Sequence, residues 1–273
     1  MKTLIESQDP ISAAIHNALV QAGIRSFLWN NSHSSLMDAY DECKPDLIII
    51  NRNCNALQCQ TLASLENIKF VFVGEWDKSF PVPSLCLSKN SYKEFPSIPH
   101  TQPVFDPSSV IKGLFNPKVS CEISVFTDGM TEDFLNKNIE VINLLIEKKA
   151  RFFGGSTIPV PNYLGGVTPN IRSQIIASSD VCVDIMGSLW RNIALAGGVV
   201  VSSKSPVDTF LFTDSESLEK KIDEFLTSRP NTQNLKMIAM EESSINICID
   251  MFRFFQAQPI VSHFIQMKQR FLQ

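Results

Sequence analysis

Arg191 stands where a short helix is predicted to begin, directly after an apolar strand and a glycine turn. The stretch is SLWRNIALAGGVVVSS, Ser188 to Ser203. Arginine makes paired hydrogen bonds to phosphate, and the first N–H groups of a helix have no partner within that helix. An arginine at this position indicates a site for a negatively charged ligand. The same pattern also fits an ordinary helix start with a solvated arginine.

Four predicted strands of the second half end in small, polar or glycine-rich segments. These segments are TDGM (127–130), GGSTIP (154–159), MGSLWR (186–191) and SSKS (202–205). In a parallel sheet, the ligand crevice lies beyond the carboxyl ends of the strands, and small residues let backbone N–H groups approach an anion. We therefore predict a diphosphate site formed by the α-helix amides after Trp190 together with Thr127, Asp128, Gly129, Gly155, Ser188 and Arg191.

Composition indicates a folded globular protein. The chain has 273 residues, of which 44% are hydrophobic and 19% charged, and its net charge of −4 gives no general attraction to nucleic acid or anionic membranes. The seven cysteines show no CxxC spacing and the four histidines are dispersed. We expect free thiols, no metal site and no cofactor. The start turns polar too early for a signal peptide, and no apolar run could span a bilayer. The expected location is cytoplasmic.

Strand and helix patterns alternate in both halves. In the first ninety residues, apolar strands such as PDLIIINRN alternate with helices such as DPISAAIHNALVQAG, in which Asp9 is the predicted N-cap and Pro10 the first helical residue. Seven prolines between Pro81 and Pro117 predict an extended connector. A second alternating series begins at CEISVFTDG. It includes a predicted helix, EDFLNKNIEVINLLIEKK (132–149), and a predicted strand, TFLFT (209–213). The fold class predicted is α/β, with two Rossmann-like domains and a helical C-terminal tail. The boundaries are 1–115, 116–232 and 233–273.

Two small α/β domains, a proline-rich connector and a helical tail outline the GT-B architecture of glycosyltransferases that use nucleotide sugars. Between about residues 120 and 230, the order RFFGG, PNYLGGVTPNIRSQIIASSDVCVDIMG, SLWRNIALAGGVVVSS and FTDSESLEKKIDEFL resembles the C-terminal domain of CgeB-like and related GT-B transferases, including family 1- and family 4-like members. The resemblance covers the N-terminal half only as general architecture. It adds Tyr163 and Gly165, which match a Tyr-x-Gly segment, to the predicted donor site.

The resemblance implies a metal-independent transfer of a sugar from a nucleotide-diphosphate donor such as a UDP-sugar. The acceptor is open: a glycan, a protein, a small molecule or a modified DNA base. Such families carry an acid three residues after the arginine, whereas this chain has Ala194 there. Asn192 could make a neutral hydrogen bond instead. A non-catalytic nucleotide- or sugar-binding module is therefore the alternative, and an epimerase on the same fold stays open.

An inverting transfer needs a general base on the acceptor side. Glu6 and Asp9 follow the first predicted strand at its carboxyl end, and both are candidates for the catalytic base. Asp9 also fits a plain N-cap role. Three further residues at strand ends are predicted acceptor contacts: Arg52, Asn53 and Glu75. An NAD-dependent oxidoreductase is disfavoured because no GxGxxG follows the first strand of either half.

Overall fold

A computed structural model describes residues 1–65, 68–88, 93–99, 104–155 and 158–273. The chain forms two compact units. Unit 1 comprises residues 1–108, 240–271 and 273, and unit 2 comprises residues 109–239 and 272. The boundaries predicted from the sequence lie at residues 115 and 232 and separate the tail as a third segment, whereas here the helices after residue 240 belong to unit 1.

Unit 1 contains a parallel sheet of six strands. The strands are β1 (Lys2–Glu6), β2 (Arg25–Trp29), β3 (Leu47–Ile50), β4 (Lys69–Val73), β5 (Leu85–Ser88) and β6 (Ser97–Pro99), in the order β2-β1-β3-β4-β5-β6. β3 is buried at all four positions, as expected for a strand covered on both faces. One core cluster packs Leu4, Ile48 and Phe72 of the sheet against residues of the second and third helices.

The helices of unit 1 are α1 (Pro10–Gln21), α2 (Leu36–Cys43), α3 (Ala56–Ala63), α10 (Ser244–Phe254) and α11 (Gln258–Leu272). Asp9 caps α1 and Pro10 opens it, as the sequence predicts. Gly23 follows the end of α1 with φ +71°, a conformation that glycine adopts without strain. The chain can therefore turn directly from α1 into β2.

Unit 2 contains a parallel sheet of four strands. The strands are β7 (Cys121–Phe126), β8 (Arg151–Phe153), β9 (Ser179–Asp184) and β10 (Val200–Ser202), in the order β10-β9-β7-β8. The helices are α4 (Glu132–Lys137), α5 (Ile139–Glu147), α6 (Pro169–Ala177), α7 (Trp190–Leu195), α8 (Ser215–Thr227) and α9 (Gln233–Glu241), the last of which ends in unit 1. The predicted α/β class with two Rossmann-like units and a helical C-terminal segment is confirmed.

Two predicted elements differ from those observed. The single helix expected over residues 132–149 is divided at Asn138 into α4 and α5. The segment TFLFT was predicted to be a strand, but Asp208–Phe210 forms a 3₁₀ turn, followed by a single bridge between Leu211 and Ser202. Within the described ranges, no helix is long and apolar enough to cross a membrane.

Candidate functional site

Each sheet has one position where the strand order reverses, which we call its switch point. In unit 1, β2 and β3 flank β1. In unit 2, β8 and β9 flank β7. Ligands of open α/β sheets bind outside the carboxyl ends of the strands at such a point. The residues that follow β1, β3, β7 and β9 are therefore placed to contact a ligand.

The two turns at the switch point of unit 2 approach each other closely. Gly129 follows β7 with φ +79°, and a Cβ added to it would lie 3.7 Å from Met186 Cε. Met186 follows β9 and is half-buried. Because a glycine stands at position 129, the turn after β7 can adopt this left-handed conformation beside the turn after β9.

Three predicted donor-site residues hold the turns after β7 and β8 together. The N–H of Thr127 donates to the carbonyl oxygen of Phe153 over 2.7 Å. Asp128 Oδ1 accepts a hydrogen bond from the N–H of Gly155 over 3.0 Å. The structure therefore brings Thr127, Asp128 and Gly155 together. Ser156 and Thr157, which belong to the predicted segment GGSTIP, lie outside the described residues.

Gly154 is the residue around which this cluster is built. Its φ is +147°, and a Cβ added there would lie 2.6 Å from Thr127 Oγ1 and 2.9 Å from Asp128 N, so a side chain is excluded. The Tyr163 hydroxyl donates to the Gly154 carbonyl over 2.8 Å. The carbonyl of Gly165 accepts from the Gly154 N–H over 3.0 Å. Tyr163 and Gly165 thus join the same cluster.

Arg172, which was not among the predicted site residues, joins this cluster through an ion pair. Its Nη2 donates to Asp128 Oδ2 over 2.6 Å, with side chains 26% and 36% exposed respectively. The guanidinium also lies 5.6 Å from the ring centroid of Phe126. A sequence signal was present, because Arg172 lies in the first turn after Pro169. The first turn of such a helix lies at the carboxyl edge of the sheet.

The N–H groups of the turn that leads into α7 are bound by a carboxylate of the protein itself. The Asp184 carboxylate accepts hydrogen bonds from four of them over 2.9–3.3 Å, at Gly187, Ser188, Leu189 and Trp190. The Ser202 hydroxyl donates to the same carboxylate over 3.1 Å. Burial raises the pKa of Asp184, and these hydrogen bonds oppose that rise because they favour the charged form. These four N–H groups are therefore engaged within the protein.

Arg191 and Asn192 lie on the more exposed side of α7. The Arg191 guanidinium carbon lies 4.4 Å from the ring centroid of Trp190, so the two side chains form a cation–π contact. Asn192 Nδ2 donates to Ser109 Oγ over 3.3 Å. Ala194 is fully buried. An acid at position 194 would therefore enter the interior of unit 2 rather than face a ligand.

Lys204, also absent from the sequence prediction, lies across the turn after β9. A Cβ added to Gly187 would lie 2.4–2.7 Å from three carbons of the Lys204 side chain. Gly187 has φ +69°, and the adjacent Ser188 is exposed. The absence of a side chain at Gly187 lets the aliphatic part of Lys204 rest on the turn. Lys204 itself follows β10, so its side chain lies against the turn after β9 at the carboxyl edge of unit 2.

At the switch point of unit 1, Glu6 and Asn51 join the ends of β1 and β3. Glu6 is 1% exposed, and its Oε2 accepts hydrogen bonds from Asn51 Nδ2 and from the Gln8 N–H. Its Oε1 is buried and has no partner among the described residues. Burial raises the pKa of Glu6, which favours the protonated acid. Asn51 Oδ1 in turn accepts from the N–H of the predicted residue Asn53 over 2.8 Å.

The other acceptor-side residues are more exposed. Asp9 Oδ1 accepts from the N–H groups of Ile11 (2.7 Å) and Ser12 (3.3 Å), which is an N-cap interaction. Arg52 Nε donates to the carbonyl oxygen of Glu75 over 2.8 Å, and the two side chains form an exposed ion pair at 3.6 Å. Among the described residues, no group of three or more His, Cys, Asp or Glu side chains could hold a metal ion.

The fold has counterparts among solved structures. No model of a known protein family matches the sequence, and a search of curated proteins gave no match. A Listeria monocytogenes protein assigned as a UDP-N-acetylglucosamine 2-epimerase aligns at 9% identity with a TM-score of 0.54, over 94% of this chain and 98% of its own. The UDP-GlcNAc 2-epimerase of Methanocaldococcus jannaschii aligns at 11% identity with a TM-score of 0.52, over 85% of this chain and 94% of its own. The spinosyn forosaminyltransferase SpnP aligns at 11% identity with a TM-score of 0.50, over 93% of this chain and 98% of its own. The chain has the GT-B fold.

Proposed function

We propose that this chain is a glycosyltransferase that uses a nucleotide-diphosphate sugar, with the donor bound at the switch point of unit 2. The observation that supports the proposal is that the segments at that edge carry three basic side chains: Arg191 over Trp190 in α7, Lys204 against the turn at Gly187, and Arg172, which pairs with Asp128. Guanidinium and ammonium groups stabilise phosphate through charge-assisted hydrogen bonds. A diphosphate is the ligand that best matches several cations around glycine-rich turns.

The basic side chains would also assist departure of the nucleoside diphosphate. Negative charge develops on that group as its bond to the sugar breaks, and preorganised cations stabilise such charge. Because Asp184 binds four N–H groups at the start of α7, this role falls to Arg191 and Lys204. The exposed Ser188 hydroxyl can donate a further hydrogen bond to a phosphate oxygen.

On the acceptor side, we propose Asp9 as the general base and Glu6 as the residue that positions Asn51. One oxygen of Asp9 binds two backbone N–H groups, which fixes the other oxygen for proton transfer. Glu6 is too buried to meet an acceptor hydroxyl directly. The proposed acceptor contacts are Arg52, Asn53 and Glu75, and the acceptor is a glycan, a protein or a modified DNA base.

A UDP-sugar epimerase is the second candidate. Two of the compared structures are described as UDP-N-acetylglucosamine 2-epimerases, and both share the fold of this chain. A binding module without turnover is the third candidate. All three candidates use the same nucleotide-sugar site, so they differ in what happens to the bound donor.

Isothermal titration with UDP, UDP-glucose and UDP-N-acetylglucosamine tests the shared site. We expect Arg191→Ala to weaken UDP binding by about 10- to 100-fold, because a charge-assisted contact contributes about 1.5–3 kcal/mol. Lys204→Ala should weaken binding less, because an ammonium group binds phosphate as a point charge. Lys220→Ala, an exposed lysine on α8, is the control and should bind as the wild type does. Unchanged affinity in Arg191→Ala would remove the proposed diphosphate site.

Product analysis then separates the candidates. UDP release that depends on an added acceptor supports the transferase. Interconversion of UDP-sugars without an acceptor identifies an epimerase. Binding with neither reaction, across a panel of acceptors, identifies the binding module.

A further inference from the structure

The segment that leads into β7 carries two of the three most exposed large apolar side chains among the described residues. Leu114 is 81% exposed and Phe115 is 68% exposed. Both lie in an irregular stretch, residues 110–116, that precedes the 3₁₀ turn at Pro117–Val119. Adjacent large apolar side chains that face water mark a surface that meets an apolar partner, because their burial is favourable.

The stretch is anchored on α6, so it presents these side chains from a fixed backbone. The Asn116 N–H donates to Ser178 Oγ over 2.7 Å, and Asn116 Nδ2 donates to Gln174 Oε1 over 3.1 Å. At the other end, a Cβ added to Gly113 would overlap the carbonyl oxygen of Ser173. The two exposed apolar side chains therefore lie between two points at which the backbone is held against the helix.

Three basic side chains accompany the stretch. Lys112 precedes Gly113 and is exposed. Arg229 is also exposed, and its Nη2 donates to the carbonyl oxygen of Gly197 over 3.1 Å. Lys236 is half-buried near the start of α9. Burial lowers the pKa of Lys236, and the positive charges of Lys112 and Arg229 lower it further, so the three cations lie close enough to repel one another.

The helix α6 connects the apolar stretch with the site of Arg229. A Cβ added to Gly198, the neighbour of the carbonyl that holds Arg229, would lie 2.5 Å from Ile176 Cγ2 of α6. The anchored stretch lies along the same helix. Next to Lys236, Met237 adds a further apolar side chain that is 46% exposed. Together these residues form what we call the basic–apolar surface of unit 2: Lys112, Leu114, Phe115, Arg229, Lys236 and Met237.

We infer that the basic–apolar surface docks this protein on a membrane whose lipids carry negatively charged headgroups, an inference that goes beyond the proposed function. Cations attract such headgroups, and apolar side chains beside them enter the boundary between headgroups and acyl chains. The chain as a whole has a net charge of −4, so the attraction comes from the local concentration of cations. A nucleic acid would match the cations alone, whereas a bilayer also buries Leu114 and Phe115.

Cosedimentation of the whole chain with lipid vesicles tests the inference. Phosphatidylcholine vesicles with about 30% phosphatidylserine supply the negative surface, and vesicles of phosphatidylcholine alone are the neutral reference. We expect the chain to bind the anionic vesicles at least about tenfold more strongly than the neutral ones. Sodium chloride at about 0.5 M should remove most of that difference, because salt screens the attraction.

Variants locate the binding surface. Arg229→Gln should weaken binding to the anionic vesicles about fivefold, because one cation is removed from the membrane surface. Leu114→Ser combined with Phe115→Ser should weaken it at least about tenfold, because less apolar area is buried. Matched controls are Lys78→Gln and Leu57→Ser, both at exposed positions of unit 1, which should bind as the wild type does. Thermal unfolding of each variant verifies that it is folded.

Three results would overturn the inference. The first is an absence of binding to the anionic vesicles, or equal binding to both kinds of vesicle. The second is wild-type affinity in the Arg229 variant and in the double serine variant. The third is binding to a short DNA duplex that displaces the vesicles and is weakened by Arg229→Gln but not by the serine substitutions, which would assign the surface to nucleic acid.

A parallel titration with UDP keeps this inference separate from the proposed function. None of the substituted residues belongs to the proposed donor site, so all variants should bind UDP as the wild type does. If the wild type binds anionic vesicles but not UDP, the proposed function fails and this inference stands. If it binds UDP but not the vesicles, only this inference fails.

Discussion

The two switch points share a topology but differ in charge. In unit 1, a hydrogen bond between the buried acid Glu6 and the amide of Asn51 joins the ends of β1 and β3. In unit 2, glycines shape the turns, and cations such as Arg172 and Lys204 lie beside them. Parallel crossover topology thus decides where a site can form in each unit, whereas the side chains at the strand ends decide which ligand charge it accepts.

The difference also shows how each edge is held together. Unit 1 uses one side chain pair across the sheet, whereas unit 2 uses close backbone contacts at Gly154 and the Asp184 carboxylate as the cap of a turn. An edge built from backbone contacts is sensitive to an added methyl group. Each edge also contains a buried acid, Glu6 in unit 1 and Asp184 in unit 2, so both are sensitive to pH.

The largest effect is expected from Gly154→Ala, which breaks the turns of unit 2. A Cβ at this position would lie 2.6 Å from Thr127 Oγ1 and 2.9 Å from Asp128 N, and φ is +147°. We expect a loss of about 2–4 kcal/mol in the free energy of unfolding, measured in urea. Gly155→Ala is the matched control, because its Cβ would meet Asp128 at an ordinary 3.5 Å. Equal losses in the two variants would contradict the role given to Gly154.

A somewhat smaller effect is expected from Asp184→Ala, which removes the cap of the turn after β9. Several buried N–H groups would lose their acceptor, at a cost of about 2–3 kcal/mol in the free energy of unfolding. Asp180→Ala, at an exposed position of the same strand, should change stability by less than about 0.5 kcal/mol.

The Asp184 variant also sharpens the comparison between the two edges. Removal of the carboxylate frees an anion-binding turn, so inorganic phosphate should raise the Tm of Asp184→Ala more than that of the wild type. An equal rise in both proteins would mean that the freed N–H groups do not form an anion site.

The smallest effect is expected from Glu6→Gln, which should change the pH dependence of the free energy of unfolding. Burial raises the pKa of Glu6 above its ordinary value of 4.5, so the folded state favours the protonated form. Wild-type stability from this group is present below the ordinary pKa and is lost as pH rises through the raised pKa. Glutamine cannot ionise, so Glu6→Gln should lose less stability than the wild type between about pH 4 and pH 8.

The control for this prediction is Glu122→Gln, which removes an exposed carboxylate of β7 and should leave the pH dependence unchanged. Chemical denaturation of the three proteins at several pH values measures the difference. Parallel pH profiles for Glu6→Gln and the wild type would show that folding does not raise the pKa of Glu6.

Local signals predicted much of the architecture. Asp9 and Pro10 locate the start of α1, and continuous apolar runs such as LIII locate buried strands, because both depend on neighbouring residues alone. The division of α4 from α5 at Asn138 was missed, since the apolar pattern continues across it. The same limitation made TFLFT resemble a strand although it forms a 3₁₀ turn.

The sequence by itself determined the alternation of strands and helices, and with it the edge at which ligand-binding residues can collect, since periodicity and capping are local properties. Tertiary structure decided which groups at that edge are engaged. The Asp184 carboxylate accepts hydrogen bonds from the loop that follows it. Arg172 pairs with Asp128, 44 residues away in the sequence, and Glu6 is buried against Asn51. These pairings follow from strand order and side-chain packing, which bring together residues that no local pattern relates.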